Sequence, residues 1–260
     1  MNLLAIESAT NLVGAAVLTE AGAAAERSHQ GGRQHAELLA PTIEEVCGLS
    51  GLRVDDIGVI AVDVGPGLFT GLRVGVSTAK ALAQGLGIGV VVASSLDILA
   101  AGAAAMAGAH GAGTVVVVVD GRRGEVFTAR YRFDAAAAGP DPVLDPAPAC
   151  VSPPALVTPE VLTQTLIDLG AGPTEPLVMV GDGAVRYVHL LAEVPGGDLD
   201  LAERVSSPSP LTLARLARLR LRAGAQPLPP SEVVPDYRRQ ADARINWEQR
   251  IVDPAVRPRS

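Results

Sequence analysis

The chain has 260 residues, nearly half of them hydrophobic but only 3% aromatic, and a formal charge of −7. That length suffices for one large domain or two small lobes, whose core Ala, Val, Leu and Gly must pack. The acidic balance argues against a standing electrostatic footprint for nucleic acid, and Cys47 and Cys150 are too few and too distant for a zinc site or disulfide scaffold.

Met1 to Glu7 lacks the basic region and cleavage site of a signal peptide, and no apolar run reaches membrane-spanning length, so a cytoplasmic location is expected. Leu3 to Ile6 reads as a buried strand that ends in the polar turn Glu7-Ser8-Ala9-Thr10-Asn11. Val13 to Leu18 returns as a second strand, and roughly Ala23 to Ser28 as a third. Apolar spacing at 38, 39, 42, 43 and 46 predicts a helix over 33–46, with Pro41 bending its axis. Cys47 is expected as a buried free thiol.

Ile57 to Val64 is the central strand. It breaks at Gly65-Pro66-Gly67 and resumes as a helix for which Thr70 is the expected N-cap. Free N–H groups at such a helix start can seat an anion, but a tight turn without ligand fits the spacing equally. Neither a Walker loop nor a dinucleotide fingerprint is present, because Thr70-Gly71-Leu72 stands where their key residues belong. Leu72, Val76, Ala79 and Ala83 share one face of this second helix, and the first helix offers Leu38, Leu39, Ile43 and Val46. Val90 to Ala93 is a further strand, and Ser94 or Ser95 caps a third helix. The Ala/Gly-rich stretch from Ala100 to Gly113 marks the expected lobe boundary.

The opening pattern then recurs. Val115 to Val119 is a strand, Asp120-Gly121-Arg122-Arg123-Gly124 a turn, and Glu125 to Phe133 a returning strand. Such an echo is what a duplicated fold leaves, although hairpins are common enough to produce it by chance. Residues 134–159, dense in Ala, Pro and Asp, are expected to be irregular, and Pro159 to Leu169 helical. Leu177 to Val180 is a strand into the turn Gly181-Asp182-Gly183, with a helix from near Val185. Pro210 to Ala223 is a helix with an Arg-bearing outer face. Beyond Arg238 a charged, mobile tail is expected.

The run Gly65-Pro66-Gly67-Leu68-Phe69-Thr70-Gly71-Leu72-Arg73-Val74-Gly75, followed by Ala79-Lys80, closely resembles the signature of the bacterial TsaB (YeaZ) family. His35 followed by Glu37, Leu38-Leu39 and Pro41 is similar to the family's first helix. Val234-Pro235-Asp236-Tyr237-Arg238 resembles its closing Pro-x-Tyr-Leu-Arg. Leu68 stands where the family has Ser, Glu7 where it has Asp, and Arg238 where it has Leu. The resemblance spans most of residues 1–238.

This resemblance implies an α/β, two-lobed actin-like ATPase fold built from duplicated ribonuclease-H-like lobes. Residues 1–105 would form the N-terminal lobe and 106–238 the C-terminal lobe, with the 210–223 helix a candidate to return to the first and 239–260 as the tail. The family is the non-catalytic partner of TsaD in making threonylcarbamoyladenosine at position 37 of tRNA. TsaE joins a larger complex, TsaB forms homodimers when alone, and tRNA is reached indirectly. No catalytic residue or resident metal is implied. Glu7, Gly65, Gly67, Asp120, Gly181 and Gly183 would line a vestigial phosphate or nucleotide cleft, with ATP or ADP and Mg2+ as its implied occupants in the complex. The alternative is that both acids are simply solvated at strand ends. His35, Leu38, Leu39, Ile43, Leu72, Val76, Ala79, Lys80 and Ala83 would lie on the two helices that meet TsaD.

The metal chemistry of TsaD depends on His-x-x-x-His, whereas His29, His35, His110 and His189 form no such pair here. The competing reading is a standalone phosphotransferase or ATPase of the same superfamily. A glycoprotease would need the missing histidine pair, and no nucleophile elbow or recognisable cysteine nucleophile exists.

Overall fold

The computed structural model describes residues 1–32, 34–107, 112–134, 147–170 and 177–237. Its first sheet contains β1 (Leu3–Glu7), β2 (Leu12–Leu18), β3 (Ala24–Gln30), β4 (Val59–Asp63) and β5 (Val90–Ala93), in the order β3-β2-β1-β4-β5. β1 runs antiparallel to β2 and parallel to β4, with Leu3 opposite both Leu18 and Val59. The second sheet contains β6 (Gly113–Arg122), β7 (Glu125–Phe133), β8 (Ala149–Val157), β9 (Leu177–Val180) and β10 (Gly197–Asp198). Read from its other edge, the order is β8-β7-β6-β9-β10, with the same alternation of directions. Two lobes thus repeat one α/β topology, in which the hairpins β1–β2 and β6–β7 occupy equivalent places.

Strands buried on both faces read as continuous apolar runs, because alternate side chains must meet different layers. Leu4 and Ile6 point to α1 (His35–Leu49) and α2 (Phe69–Leu86), packing with Leu39, Ile43, Val46, Val76, Ala79 and Ala83. Leu3 and Ala5 point the other way, to Leu213, Leu216 and Ala217 of α7 (Pro210–Arg222). In the second lobe Val115, Val117 and Val119 meet Leu96, Leu99 and Ala103 of α3 (Ser95–Ala107). Val116 and Val118 meet α4 (Pro159–Asp168) through Leu162 and Leu166, and α6 (Val188–Leu191) through Leu191. A single-turn helix, α5 (Asp182–Arg186), follows β9.

Each lobe therefore borrows a helix. α3 follows β5 of the first sheet but covers the second, and α7 follows the second sheet but covers the first. From Ile98 onward α3 carries no charged residue because both of its sides are occupied: Ile98 joins the α7 cluster while Leu96 and Leu99 join the β6–β7 cluster. Glu26 of β3 fixes the start of α7, accepting from Ser209 Oγ at 2.8 Å and from the backbone N–H of Leu211 at 3.1 Å. A carboxylate there also complements the positive end of the helix dipole.

Several local expectations change. Residues 149–157 form the edge strand β8, and Pro153 and Pro154 are tolerated because an edge strand has a side without ladder partners. The Ala/Gly-rich stretch from Ala100 continues α3 to Ala107. α2 starts at Phe69 after an extended Leu68, so Thr70 lies inside its first turn rather than capping it. The helix expected from Val185 begins at Asp182. Arg33, residues 135–146 and the expected tail from 239 lie outside the described residues.

Candidate functional site

The glycine-rich signature closes onto the β1–β2 turn. Gly67 precedes α2, and Gly71 and Gly75 lie one turn apart on a single face of it. A β-carbon at Gly67 would collide with the carbonyl oxygen of Ala9, at Gly71 with that of Ser8, and at Gly75 with Ser8 Oγ. The absent side chains let backbone meet backbone: the N–H of Leu68 donates to Ala9 O at 2.6 Å, and Ser8 Oγ donates to Gly71 O at 2.8 Å. Gly65 has a φ of 106°, open to glycine alone, and its N–H donates to Asp63 Oδ1 at 2.7 Å.

His35 completes this clamp. It is buried, its Nε2 lies 2.8 Å from Thr10 O, and its ring lies alongside Gly31 and Gly71. It ties the start of α1 to the β1–β2 turn and offers little surface to a partner.

Glu7 and Asp63 end the adjacent parallel strands β1 and β4 and are both buried. Glu7 Oε1 accepts from the backbone N–H of Ala9 at 2.7 Å, while Oε2 has no partner apart from the facing Asp63 carboxyl. Asp63 accepts from Ser95 Oγ at 2.9 Å on Oδ1 and 2.7 Å on Oδ2. Complete burial, the Asp63 charge and the hydrogen bond to it hold the Glu7 carboxyl well above the usual range. Burial raises Asp63 too, against the hydrogen bonds it receives from Glu7, Gly65 and Ser95. One proton between the two carboxyls satisfies Glu7 Oε2 and removes a buried like-charge contact. Glu7 thus faces Asp63 rather than solvent, a correction to its expected place on a phosphate cleft. Sequence reading also missed Asp63 and Ser95. The available signal was that two apolar runs of equal length, Leu3–Ile6 and Val59–Val62, each end in an acid.

In the second lobe Asp120 ends the core run of β6 with its carboxylate almost covered. Oδ2 pairs with Arg186 at 2.9 Å and Arg122 at 3.3 Å, and Oδ1 accepts from the Arg122 N–H at 3.0 Å. Its own N–H donates to Asp182 Oδ1 at 2.9 Å, and burial raises the Asp182 carboxyl. Arg122 and Arg123 hold left-handed backbone in the turn, at φ 64° and 55°. Gly181, at φ 104°, and Gly183 let the β9–α5 junction approach Val118 O, which a β-carbon at either position would strike.

These residues do not fit a magnesium nucleotide. Magnesium needs exposed, ionised oxygen ligands, whereas Glu7 is buried against another acid and Asp120 is bound by two guanidinium groups. The space left by Gly67 and Gly71 is filled by the 8–9 backbone, and that left by Gly181 and Gly183 by Val118.

The two helices expected to meet a partner lie side by side, but most of the nominated residues face inward. Leu39, Ile43, Leu72, Val76, Ala79 and Ala83 are buried, five of them in the cluster beneath α1 and α2; Leu38 is half-buried against it. Lys80 Nζ donates to Val233 O at 3.0 Å, holding the closing segment along α2. The outward face carries Ala36, Ala40, Pro41 and Glu44 on α1, and Arg73, Ser77 and Ala81 on α2. Phe69 and Tyr237 are half exposed with ring centroids 5.4 Å apart, and the Arg73 guanidinium stands 3.7 Å over the Phe69 ring.

The family model described as TsaD: tRNA N6-adenosine threonylcarbamoyltransferase matches residues 24–247. The tRNA threonylcarbamoyladenosine biosynthesis protein TsaB of Bacillus subtilis is 28% identical over 95% of this chain and 98% of its own length. The TsaB protein of Escherichia coli is 33% identical over 52% of this chain and 56% of its own length, so that match spans about half of each. The solved structure of YeaZ from Pseudomonas aeruginosa superposes with a TM-score of 0.73 at 26% identity, covering 91% of this chain and 99% of that one. No described helix is long and apolar enough to cross a membrane.

Proposed function

The chain belongs to the family described by TsaD, tRNA N6-adenosine threonylcarbamoyltransferase, on its TsaB (YeaZ) branch, and from that membership we propose that it serves threonylcarbamoyladenosine synthesis in tRNA as a non-catalytic, activating subunit. In this reading it docks a TsaD-type transferase, which carries the transfer chemistry to adenosine 37. A TsaE-type ATPase joins the larger complex, tRNA is reached through the transferase, and the chain pairs with itself when alone. The docking surface is the outward face of α1 and α2.

The observation that carries the non-catalytic reading is the engagement of both strand-end acids within the chain, Glu7 with Asp63 and Asp120 with Arg122 and Arg186. On that basis the cleft is a relic in which hydrogen bonds and glycine contacts hold the fold. The docking reading is supported by the small outward side chains Ala40, Ser77 and Ala81, which permit close approach of a partner helix.

The test is calorimetric titration of a TsaD-type transferase with the wild type and with Ala40→Arg and Ser77→Arg, beside ATP turnover by the chain alone. The expected result is binding weakened about a hundredfold, or ~2.7 kcal/mol, with unchanged melting and no turnover by the lone chain. Full binding by both variants would move the docking surface elsewhere. Turnover by the lone chain that disappears in Asp120→Asn would replace the activator reading with the ATPase one.

A further inference from the structure

Two half-exposed rings mark the point where the described chain stops. Tyr237 packs on Phe69, the first residue of α2, and Lys80 holds the segment that leads to it along that helix. Phe69, Arg73, Ser77 and Ala81 follow at four-residue spacing on α2, so residues 238–260 start at one end of the outward α1–α2 face. That face carries unmatched charge. Glu37 and Glu44 are exposed on α1 without an ion-pair partner among the described residues, Arg27 being taken by Glu45. Arg73 stacks on Phe69 and bonds Tyr237 Oη, but meets no carboxylate among the described residues. Between these charges stand only the uncharged Ala40, Pro41, Ser77 and Ala81.

Residues 238–260 have the complementary composition. They hold six arginines against three acids, so the formal charge of −7 lies wholly on the rest of the chain. They also hold its only tryptophan. Arg244 and Arg250 stand three residues to either side of Trp247, as Glu37 and Glu44 stand three residues outside Ala40 and Pro41. Asp242 is the first acid beyond Tyr237 and can serve Arg73. The reach is sufficient: Ser77 lies about 12 Å along α2 from Phe69, whereas the ten residues from Tyr237 to Trp247 span up to about 35 Å. A tether this short keeps the segment at an effective concentration on the order of millimolar, so a weak contact is enough.

We infer that residues 238–260 fold back onto the outward face of α1 and α2, with Trp247 over Ala40 and Ser77 and with Arg244 and Arg250 meeting Glu37 and Glu44. Taken with the reading that a TsaD-type transferase docks on this same face, on which this step rests, the segment is an intramolecular competitor that the transferase must displace.

The single tryptophan reports on the segment without any partner. In the full-length chain Trp247 emission should be blue-shifted and shielded from acrylamide at every protein concentration. Both signs should vanish in Ala40→Arg and in the double variant Glu37→Lys/Glu44→Lys, which alter exposed positions and should keep a native circular dichroism spectrum. Wild-type emission like that of free tryptophan, or shielding that survives in both variants, overturns the assignment. So does shielding that appears only as concentration rises, because a second copy then supplies the contact. Trp247→Ala should bind the transferase about tenfold more tightly than the wild type. An unchanged affinity overturns the competition. A transferase that does not bind while Trp247 stays shielded refutes the docking face and upholds the fold-back.

Discussion

Glu7 and Asp63 stand one position beyond the paired residues Ile6 and Val62, so two parallel strands deliver two carboxyls to the same buried point. Each strand end also fixes a turn, Glu7 through the N–H of Ala9 and Asp63 through that of Gly65, and Ser95 links the pair to α3.

This pair makes stability depend on pH. Both folded-state pKa values lie above their unfolded ones, so between the ordinary carboxylate range and those raised values the native state binds more protons. Stability contributed by the shared proton is therefore full in acid and is lost as pH rises through that window, at about 1.4 kcal/mol per pH unit for each proton. Glu7→Gln keeps a donor toward Asp63 without an ionisable group. Its melting temperature should match the wild type near the ordinary carboxylate range and exceed it increasingly toward neutral pH. A constant difference between the two melting curves across that range would show that the carboxyls share no proton.

Gly71 and Gly85 occupy the same helix but should respond oppositely to alanine. Gly71→Ala drives a β-carbon into Ser8 O and should cost about 3 kcal/mol as α2 is pushed off the turn. Gly85 is exposed with nothing within 4 Å of its would-be β-carbon, so Gly85→Ala should add about 0.5–1 kcal/mol through helix propensity alone. Denaturant unfolding of both variants decides it, and equal effects would mean that the signature glycines are not spaced for backbone contact.

Leu39→Asp and Val76→Asp should fail to fold rather than weaken docking selectively, because each places a carboxylate in the cluster beneath α1 and α2. Soluble expression and circular dichroism provide the check. A folded Val76→Asp variant would contradict the inward orientation of that face.

Lys80→Met should loosen the closing segment without unfolding the lobe. The lost bond is the one to Val233 O, while Arg73 Nε to Tyr237 Oη at 3.1 Å and the Val90–Leu228 pairing remain. Hydrogen exchange should accelerate at residues 231–237 and stay unchanged in β1 and β4. Uniform acceleration would mean that the segment and the sheet open together.

The strands and long helices were legible because buried strands between two layers leave apolar runs, and helices leave a stripe of period 3.6. The stripe Leu72, Val76, Ala79 and Ala83 was correctly assigned to one face of α2, yet periodicity says which residues lie together and not which side meets water. β8 was obscured by Pro153 and Pro154, which read as loop unless the strand is known to lie at an edge. The Glu7–Asp63–Ser95 cluster joins residues up to 88 positions apart, and only the strand register places them together. The arginines on Asp120 were equally hidden, Arg186 arriving through the parallel pairing of β6 and β9.

The borrowed helices have a consequence for the chain as a folding object. Cut between Ala107 and Gly113, the first half would keep α3 without the sheet it covers and would lose α7, leaving Leu3, Ala5 and Leu18 open to water. The second half would carry α7 with no sheet of its own lobe to receive it. Neither fragment is a self-sufficient unit, although each has a complete five-stranded sheet. Mixed together, the fragments should reassemble by mutual complementation, as two subunits that trade an arm.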